Sequence, residues 1–505
     1  MSVKRNIVAN YVGQGVASLL SLGLVPVYIR YLGIEAYALV GLFAVIQSWM
    51  SVLDLGMGPT LGREMARFTA GKVTVQSIRD LLRSLEIIYF GLALAAAIAL
   101  TAAAGWLAAH WLQADRLPVA TVAGALSLLA TVVALRFCEG LYRSGITGLQ
   151  QQVWLNGATI ILAVLRSFGA LAVLAFIAPT IKAFFVWQGL VSLLSLAAMA
   201  AKLHLALPKA PRAPRFSWRA LGEIRRFAGG ILGISVLTLL LTQVDKVILS
   251  RMLPLTELGY YMLAATIAGS LYLLSAPIGL AVAPMLVRLV EAGDEAALSA
   301  VYHKSSQLLT VLLVPAALLL ALFPGGVLLA WSGDPAIAAR AGPILGLLAV
   351  GTFLSAQFQI PYVLQLAAGW TGLILRLNLA AVALLVPALI WAVPQAGAIA
   401  AAAASVALNL GYLLIGVPIQ HRRLLRTEMW RWYRADVVLP AAGAFAACVP
   451  ALLIVAGRVP SRLEWFALLA LTGVASVGAA ALSASHIRPL LVAAAKQFRR
   501  GTLIR

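Results

Sequence analysis

Polar and ionisable side chains sit inside long apolar runs of this chain, where a central Arg costs about 2.5–3.5 kcal/mol to insert. Such residues point by default to binding or conduction. Asn156, Thr159 and Arg166 fall at helical spacing, with Ser167 beside them, and place a cation on a polar stripe. Its structural alternative is a pairing of Arg166 to a neighbouring helix. Ser235, Thr238, Thr242 and Asp245 follow at i, i+3, i+7 and i+10, one helical face. Lys246 is adjacent but projects elsewhere, so Asp245 and Lys246 are not expected to pair within the helix. Asp245 could bind a cation or proton, or neutralise a base such as Arg30. Arg136, Glu139 and Arg143, at i, i+3 and i+7, set one acid between two cations. They read as a structural ion cluster, or as a cytoplasmic gate where a phosphate could land. Asp54, in Leu53-Asp54-Leu55-Gly56, is either a working carboxylate or a helix-end cap. Milder stripes run through Asn10, Gln14 and Ser21, and through Thr352, Ser355, Gln359 and Tyr362, followed by Arg376 and Asn378. Hydroxyls and amides alone are more often helix–helix glue than ligands. Their convergence with arginines on several helices favours a basic cavity suited to an anion, formed by Arg30, Arg166, Lys246 and Arg376 with Asn156, Gln359 and Asn378.

The elements that must position these groups are membrane helices. The chain is 62% hydrophobic and 11% charged, and charge-free runs of about 20 residues recur along it, the length that crosses roughly 30 Å of hydrocarbon. The pattern predicts an all-α integral membrane protein of about fourteen spans: 8–29, 37–56, 86–108, 118–141, 153–176, 182–203, 229–251, 258–282, 306–330, 341–364, 371–393, 396–418, 437–456 and 464–484. The first run is too long for a signal peptide and lacks a suitably placed cleavage site. With the N-terminus inside, 29 of the 38 Lys and Arg fall on the inner side and 8 outside, leaving Arg166 mid-span. That asymmetry predicts N-in and C-in. It also explains the net charge of +21 without nucleic acid as a partner, because the cations cluster in alternate loops. The two cysteines and five histidines show no disulfide or metal-ligand spacing.

The chain repeats itself once. Y-I-R-Y-L-G-I-E-A-Y-A-L-V-G-L-F-A from Tyr28 is echoed by V-I-L-S-R-M-L-P-L-T-E-L-G-Y-Y-M-L-A-A from Val247, each with one acid, Glu35 or Glu257, ahead of Tyr37 or Tyr260. Pro59 and Arg63 are matched by Pro284 and Arg288. Phe137, Tyr142, Gly148 and Asn156 are matched by Phe358, Tyr362, Gly369 and Asn378. Two similar halves predict two pseudo-symmetric six-helix lobes, a transporter architecture with its site between the halves. The expected division is an N-lobe at 1–203, a basic cytoplasmic linker at 204–228, a C-lobe at 229–420, and a helix pair with a basic tail at 421–505.

Enzyme motifs fail here. Gly71-Lys72 lacks the upstream glycine of a phosphate loop, and Gly56-Met57-Gly58 opens no βαβ unit. Asp115 and Asp334, in short outer loops, are thin support for a membrane polymerase or ligase.

Several motifs are familial. They are N-x-x-x-N-Y-V-G-Q-G with Asn6 and Asn10, then Pro26 and I-R-Y-L-G at 29–33, Leu53-Asp54-Leu55-Gly56, and Arg63-Glu64-Met65-Ala66-Arg67. Q-V-D-K-V-I-L at 243–249 and Leu258-Gly259-Tyr260 follow in the second half. In this order the chain resembles the polysaccharide-transporter branch of the multidrug/oligosaccharidyl-lipid/polysaccharide flippase superfamily, the Wzx-type O-antigen flippases, over most of its first twelve spans. The resemblance implies a V-shaped helical bundle that opens alternately inward and outward in a bacterial inner membrane. It implies an undecaprenyl-pyrophosphate-linked oligosaccharide as substrate, membrane lipids as surroundings, and a polysaccharide polymerase or chain-length machinery as a candidate partner. No cofactor is expected, and coupling to a proton or sodium gradient would fall first to Asp245 and second to Asp54. The competing readings are a cation-coupled multidrug exporter, which a basic cavity disfavours, and a polymerase or ligase.

Overall fold

The computed structural model describes residues 20–458 and 460–489, with residues 15, 18 and 493 besides; the side chains at 219–235 fall outside this set. Asn10 and Gln14 of the first polar stripe, and Ser235 of the seventh-span stripe, also lie outside the described side chains. Among the described residues the chain is helical and has no strand, only an isolated bridge between Gln113 and Pro254. Among the described residues eleven helices are long and apolar enough to cross a membrane. Expected spans eleven and twelve form one run, Thr371–Leu424, which turns at Gly397. There φ of +58° leaves the helical region at a position open to glycine. The expected first span begins among undescribed positions.

The chain divides into two compact units, Met1–Gly259 and Tyr260–Arg505. The first contains α1 (Val25–Leu32), α2 (Ile34–Val52), α3 (Met57–Thr69), α4 (Val75–Trp106), α5 (Val119–Gly148), α6 (Gln152–Phe176), α7 (Ile181–Ala206) and α8 (Trp218–Met252). The expected joint at 204–228 lies inside this unit, because α8 packs on α2 and α4. Helix α9 (Leu255–Gly269) crosses the division. The second unit continues with α10 (Tyr272–Ala292), α11 (Glu295–Leu322), α12 (Pro324–Ser332), α13 (Pro335–Gln357), α14 (Gln359–Ala367), α15 (Thr371–Gly411) and α16 (Val417–Leu424). It closes with α17 (Leu439–Gly457), preceded by the π-helical Trp432–Val438, and α18 (Arg462–Ser483).

The sequence repeat is a repeat of packing. In the first unit α3 packs on α5, α4 on α5 and α5 on α7; in the second α10 packs on α14, α11 on α13 and α13 on α15. The turns recur too. Gly71 and Gly293 end α3 and α10 at positive φ, and the next helix starts from a side-chain cap, Thr74 or Asp294. One assignment shifts. The left-handed residue after α5 is Gln150, at φ +57°, and its counterpart after α14 is Gly369, at φ +65°. Gly148, matched to Gly369 by sequence, is instead helical and serves a close approach. A Cβ there would stand 2.2 Å from the Gly62 carbonyl oxygen on α3. Small residues let membrane helices meet at backbone distance. The repeat's acid, Glu35, is structural: its buried carboxylate accepts backbone N–H bonds from Asp115, Arg116 and Leu117 at 2.8–3.3 Å.

Candidate functional site

The first unit holds a basic centre built from helical faces. Arg136 lies in α5, whose interior neighbours are apolar, and its guanidinium reaches two other helices. It donates to Gln188 at 3.2 Å and Ser192 at 3.4 Å on α7, and to Gln47 at 3.1 Å on α2. Its carbon Cζ sits 4.6 Å from the centre of the Phe43 ring. These partners are neutral, so the donors are largely satisfied while the charge has no direct carboxylate partner. Glu139, one turn on, pairs with Arg143 at 3.2 Å and lies within electrostatic reach of both Arg136 and Arg166. Arg166 on α6 is less well served: its Nε is buried with no hydrogen-bond partner. Three guanidinium groups around one carboxylate leave the centre positive.

Arg136 also lines a cavity of about 250 Å³ with Asp54, Tyr89, Phe137 and Ser144. Asp54 sits in the break between α2 and α3, where Leu55 and Gly56 both take positive φ. That turn presents its carboxylate to the Gly58 N–H at 3.0 Å. The same oxygen also accepts a hydrogen bond from the Tyr89 hydroxyl. At roughly 30 Å³ per water the cavity has room for a few waters and an ion or phosphate group, not for an oligosaccharide.

Within the first unit, Arg30, Asn156 and Lys246 do not line this cavity. Lys246 corrects the sequence argument. Its Nζ turns back to Asp245 at 3.3 Å and to the Thr242 carbonyl at 2.7 Å. Adjacent helical residues diverge at Cβ, but a four-carbon lysine stem is long enough to return. Arg30 is exposed in the last turn of α1. Asn156 is buried and donates to the Gln152 carbonyl at 2.7 Å. Arg376, in the second unit, is exposed and donates to the Gly372 carbonyl at 3.0 Å. Gln359 packs against Gly279, where a Cβ would stand 2.4 Å from its amide nitrogen. Asn378 accepts from the Tyr412 hydroxyl at 2.6 Å.

Two polar networks went unread in the sequence, each including a histidine. In the first unit Glu86 is buried and receives Tyr142 at 2.9 Å, His204 at 2.8 Å and, more loosely, Arg83 at 3.6 Å. In the second, fully buried His303 bridges Asp436 through Nδ1 and Glu428 through Nε2, the latter at 2.9 Å. Gln307, one turn along α11, donates to Asp436 at 2.9 Å and accepts from the His486 N–H at 2.7 Å. That network fastens the terminal helix pair to α11. No local spacing signals it, because the partners are 125 or more residues apart. Among the described residues no three His, Cys, Asp or Glu are arranged to hold a metal ion.

Comparison with known proteins places this architecture. A family model described as polysaccharide biosynthesis protein matches residues 3–290. The chain belongs to the polysaccharide biosynthesis protein family. Among solved structures, the lipid II flippase MurJ in an inward closed conformation is similar, with a TM-score of 0.66 at 11% identity over 98% of this chain and 99% of that one. An inward-facing multidrug resistance MATE family transporter of the MOP superfamily has a TM-score of 0.56 at 15% identity, covering 85% and 96%. A Vibrio cholerae MATE transporter variant gives 0.55 at 16%, covering 84% and 97%. A search of curated proteins found no match. At these identities the shared property is the fold. This member of the polysaccharide biosynthesis family is thus a multi-pass membrane protein with the helical fold of MOP-superfamily transporters.

Proposed function

We propose that this family member is a flippase. Its cargo would be an undecaprenyl-pyrophosphate-linked oligosaccharide, carried from the cytoplasmic to the outer leaflet of a bacterial inner membrane for O-antigen or exopolysaccharide assembly. The observation that carries the reading is Arg136: a half-buried guanidinium held by neutral acceptors and an aromatic face, with Arg166 short of an acceptor nearby. A planar five-donor cation of this kind suits a phosphate oxygen, through charge-assisted bonds strengthened by burial. The similar structure titled as a lipid II flippase supports a lipid-linked saccharide as cargo. Similarity to MATE transporters supports the exporter reading on the same scaffold, but a positive centre repels a cationic drug. The protein would perform no covalent chemistry.

No nucleotide-binding motif is present in the sequence, so the driving force would be an ion gradient, worth about 2.3 kcal/mol per charge per 100 mV. Asp54 is the better candidate for that coupling than Asp245. It lines the same cavity as Arg136, and Asp245 does not. Depletion of the protein in its cell tests the reading. Lipid-linked oligosaccharide should accumulate on the cytoplasmic side while surface glycan falls. Undiminished arrival of glycan at the outer leaflet would refute it.

A further inference from the structure

The connection between α7 and α8 is strapped to α4 by a ladder of side chains from a single helical face. The backbone N–H groups of Arg212, Arg215 and Ser217 donate to Gln76 at 3.1 Å, Asp80 at 2.9 Å and Ser84 at 2.9 Å. Arg79, on the same face, donates to the carbonyls of His204, Leu207 and Pro208 at 2.7–3.1 Å. Because the backbone is what is held, the side chains of Lys209, Arg212 and Arg215 remain exposed.

Between strap and helix lies a cavity of about 680 Å³. Its chemistry changes along the α4 axis. Arg79 and Arg83 line one end with His204, while Ile87 and Phe90 line the other. Glu86 between them is already met by Tyr142 and His204. Arg83 is half exposed, and its 3.6 Å approach to Glu86 leaves guanidinium donors unused. The depth of the cavity follows from helix length. The helical run from Val75 to Trp111 has 37 residues, about 55 Å at 1.5 Å per residue, against roughly 30 Å of hydrocarbon. The charged residues of α4 all fall at Arg79–Glu86, so that end emerges, and the first apolar turn, Ile87–Phe90, enters the bilayer. Phe216 and Trp218, stacked edge to face at 5.0 Å and both exposed, mark the same level as interfacial aromatics.

We propose that this cavity is a binding site for an anionic phospholipid resident in the leaflet on the linker side, with its phosphate at Arg83 and the strap, and its acyl chain along Ile87 and Phe90. Such lipids attract clustered Lys and Arg at the membrane surface. This site is separate from the Arg136 centre and does not rest on the flippase reading. The test uses the full-length protein in nanodiscs of phosphatidylcholine with and without phosphatidylglycerol of the same acyl chains. Bound lipid is counted by native mass spectrometry and the thermal midpoint is followed. Phosphatidylglycerol should be retained at least tenfold over phosphatidylcholine and raise the midpoint by a few degrees. Arg83→Gln with Arg212→Ser should abolish both effects while keeping the wild-type midpoint in phosphatidylcholine alone; Arg83→Lys should keep part of them. Equal retention of the two lipids, or full retention by the Arg83→Gln, Arg212→Ser variant, would overturn the proposal. So would displacement of phosphatidylglycerol by equimolar undecaprenyl pyrophosphate or by millimolar inorganic phosphate, since the site would then belong to the cargo or to a free anion.

Discussion

Arg136 and Arg166 are both cations inside a helix bundle, yet their surroundings assign them different burdens. Arg136 ties α2 and α7 to α5, so its removal strands Gln188 and Ser192 and costs packing as well as charge. Arg166 contributes a buried Nε with no acceptor, and an unsatisfied buried donor costs about 1–3 kcal/mol. Arg166→Met should therefore leave the thermal midpoint unchanged or higher, while transport of the lipid-linked saccharide falls about tenfold or more. A lower midpoint with proportionate loss of abundance would show that Arg166 is a structural partner instead. Arg166 was legible in the sequence because a charge within an apolar run is conspicuous, whereas Arg136 was read only as one end of an ion cluster or gate with Glu139 and Arg143. What each one touches was not legible. Asp245 and Lys246 show the limit: helical spacing fixes where Cβ points, but a flexible stem decides where the ammonium arrives. His303 was passed over because its carboxylate partners lie on the far side of five intervening helices in sequence.

Helices here are placed by close approaches as much as by apolar faces. Gly148 of α5 meets the Gly62 carbonyl of α3, the helix that follows the Asp54 turn. Gly148→Val adds carbon where only 2.2 Å separates an ideal Cβ from backbone oxygen, and overpacking without an escape costs about 1–3 kcal/mol or more. We expect a fall of several degrees in the midpoint measured in detergent, with reduced membrane abundance. An unchanged midpoint would mean that α3 and α5 do not cross at this glycine. Apolar run lengths located α2, α6, α7, α17 and α18 to within a few residues, while α4, α8 and α11 start about ten residues before the expected spans, because their polar first turns carry no hydropathy signal. The turn at Gly397, the strap on α4 and the fastening of the terminal pair by His303 and Gln307 escaped, since each is a tertiary arrangement written in no local period.

The two units repeat the same three helix pairings, and the repeat was the longest-range feature visible in the sequence. It established the transporter-like architecture before any contact was known. The cavity chemistry, by contrast, is unequal. The basic centre lies in the first unit, while Arg376, Gln359 and Asn378 of the second are engaged in local hydrogen bonds or packing. If one centre recognises the phosphate, vectorial movement should depend on Arg136 above all. The direct measurement uses sealed proteoliposomes containing the purified protein and an undecaprenyl-pyrophosphate-linked oligosaccharide, with lectin access to the saccharide followed on the side opposite to loading. The wild-type protein should expose the saccharide well above protein-free vesicles, and Arg136→Ala should slow it at least tenfold, about 1.4 kcal/mol of barrier, at matched reconstitution. Exposure no faster than in protein-free vesicles, or an Arg136→Ala rate equal to wild type, would contradict the account.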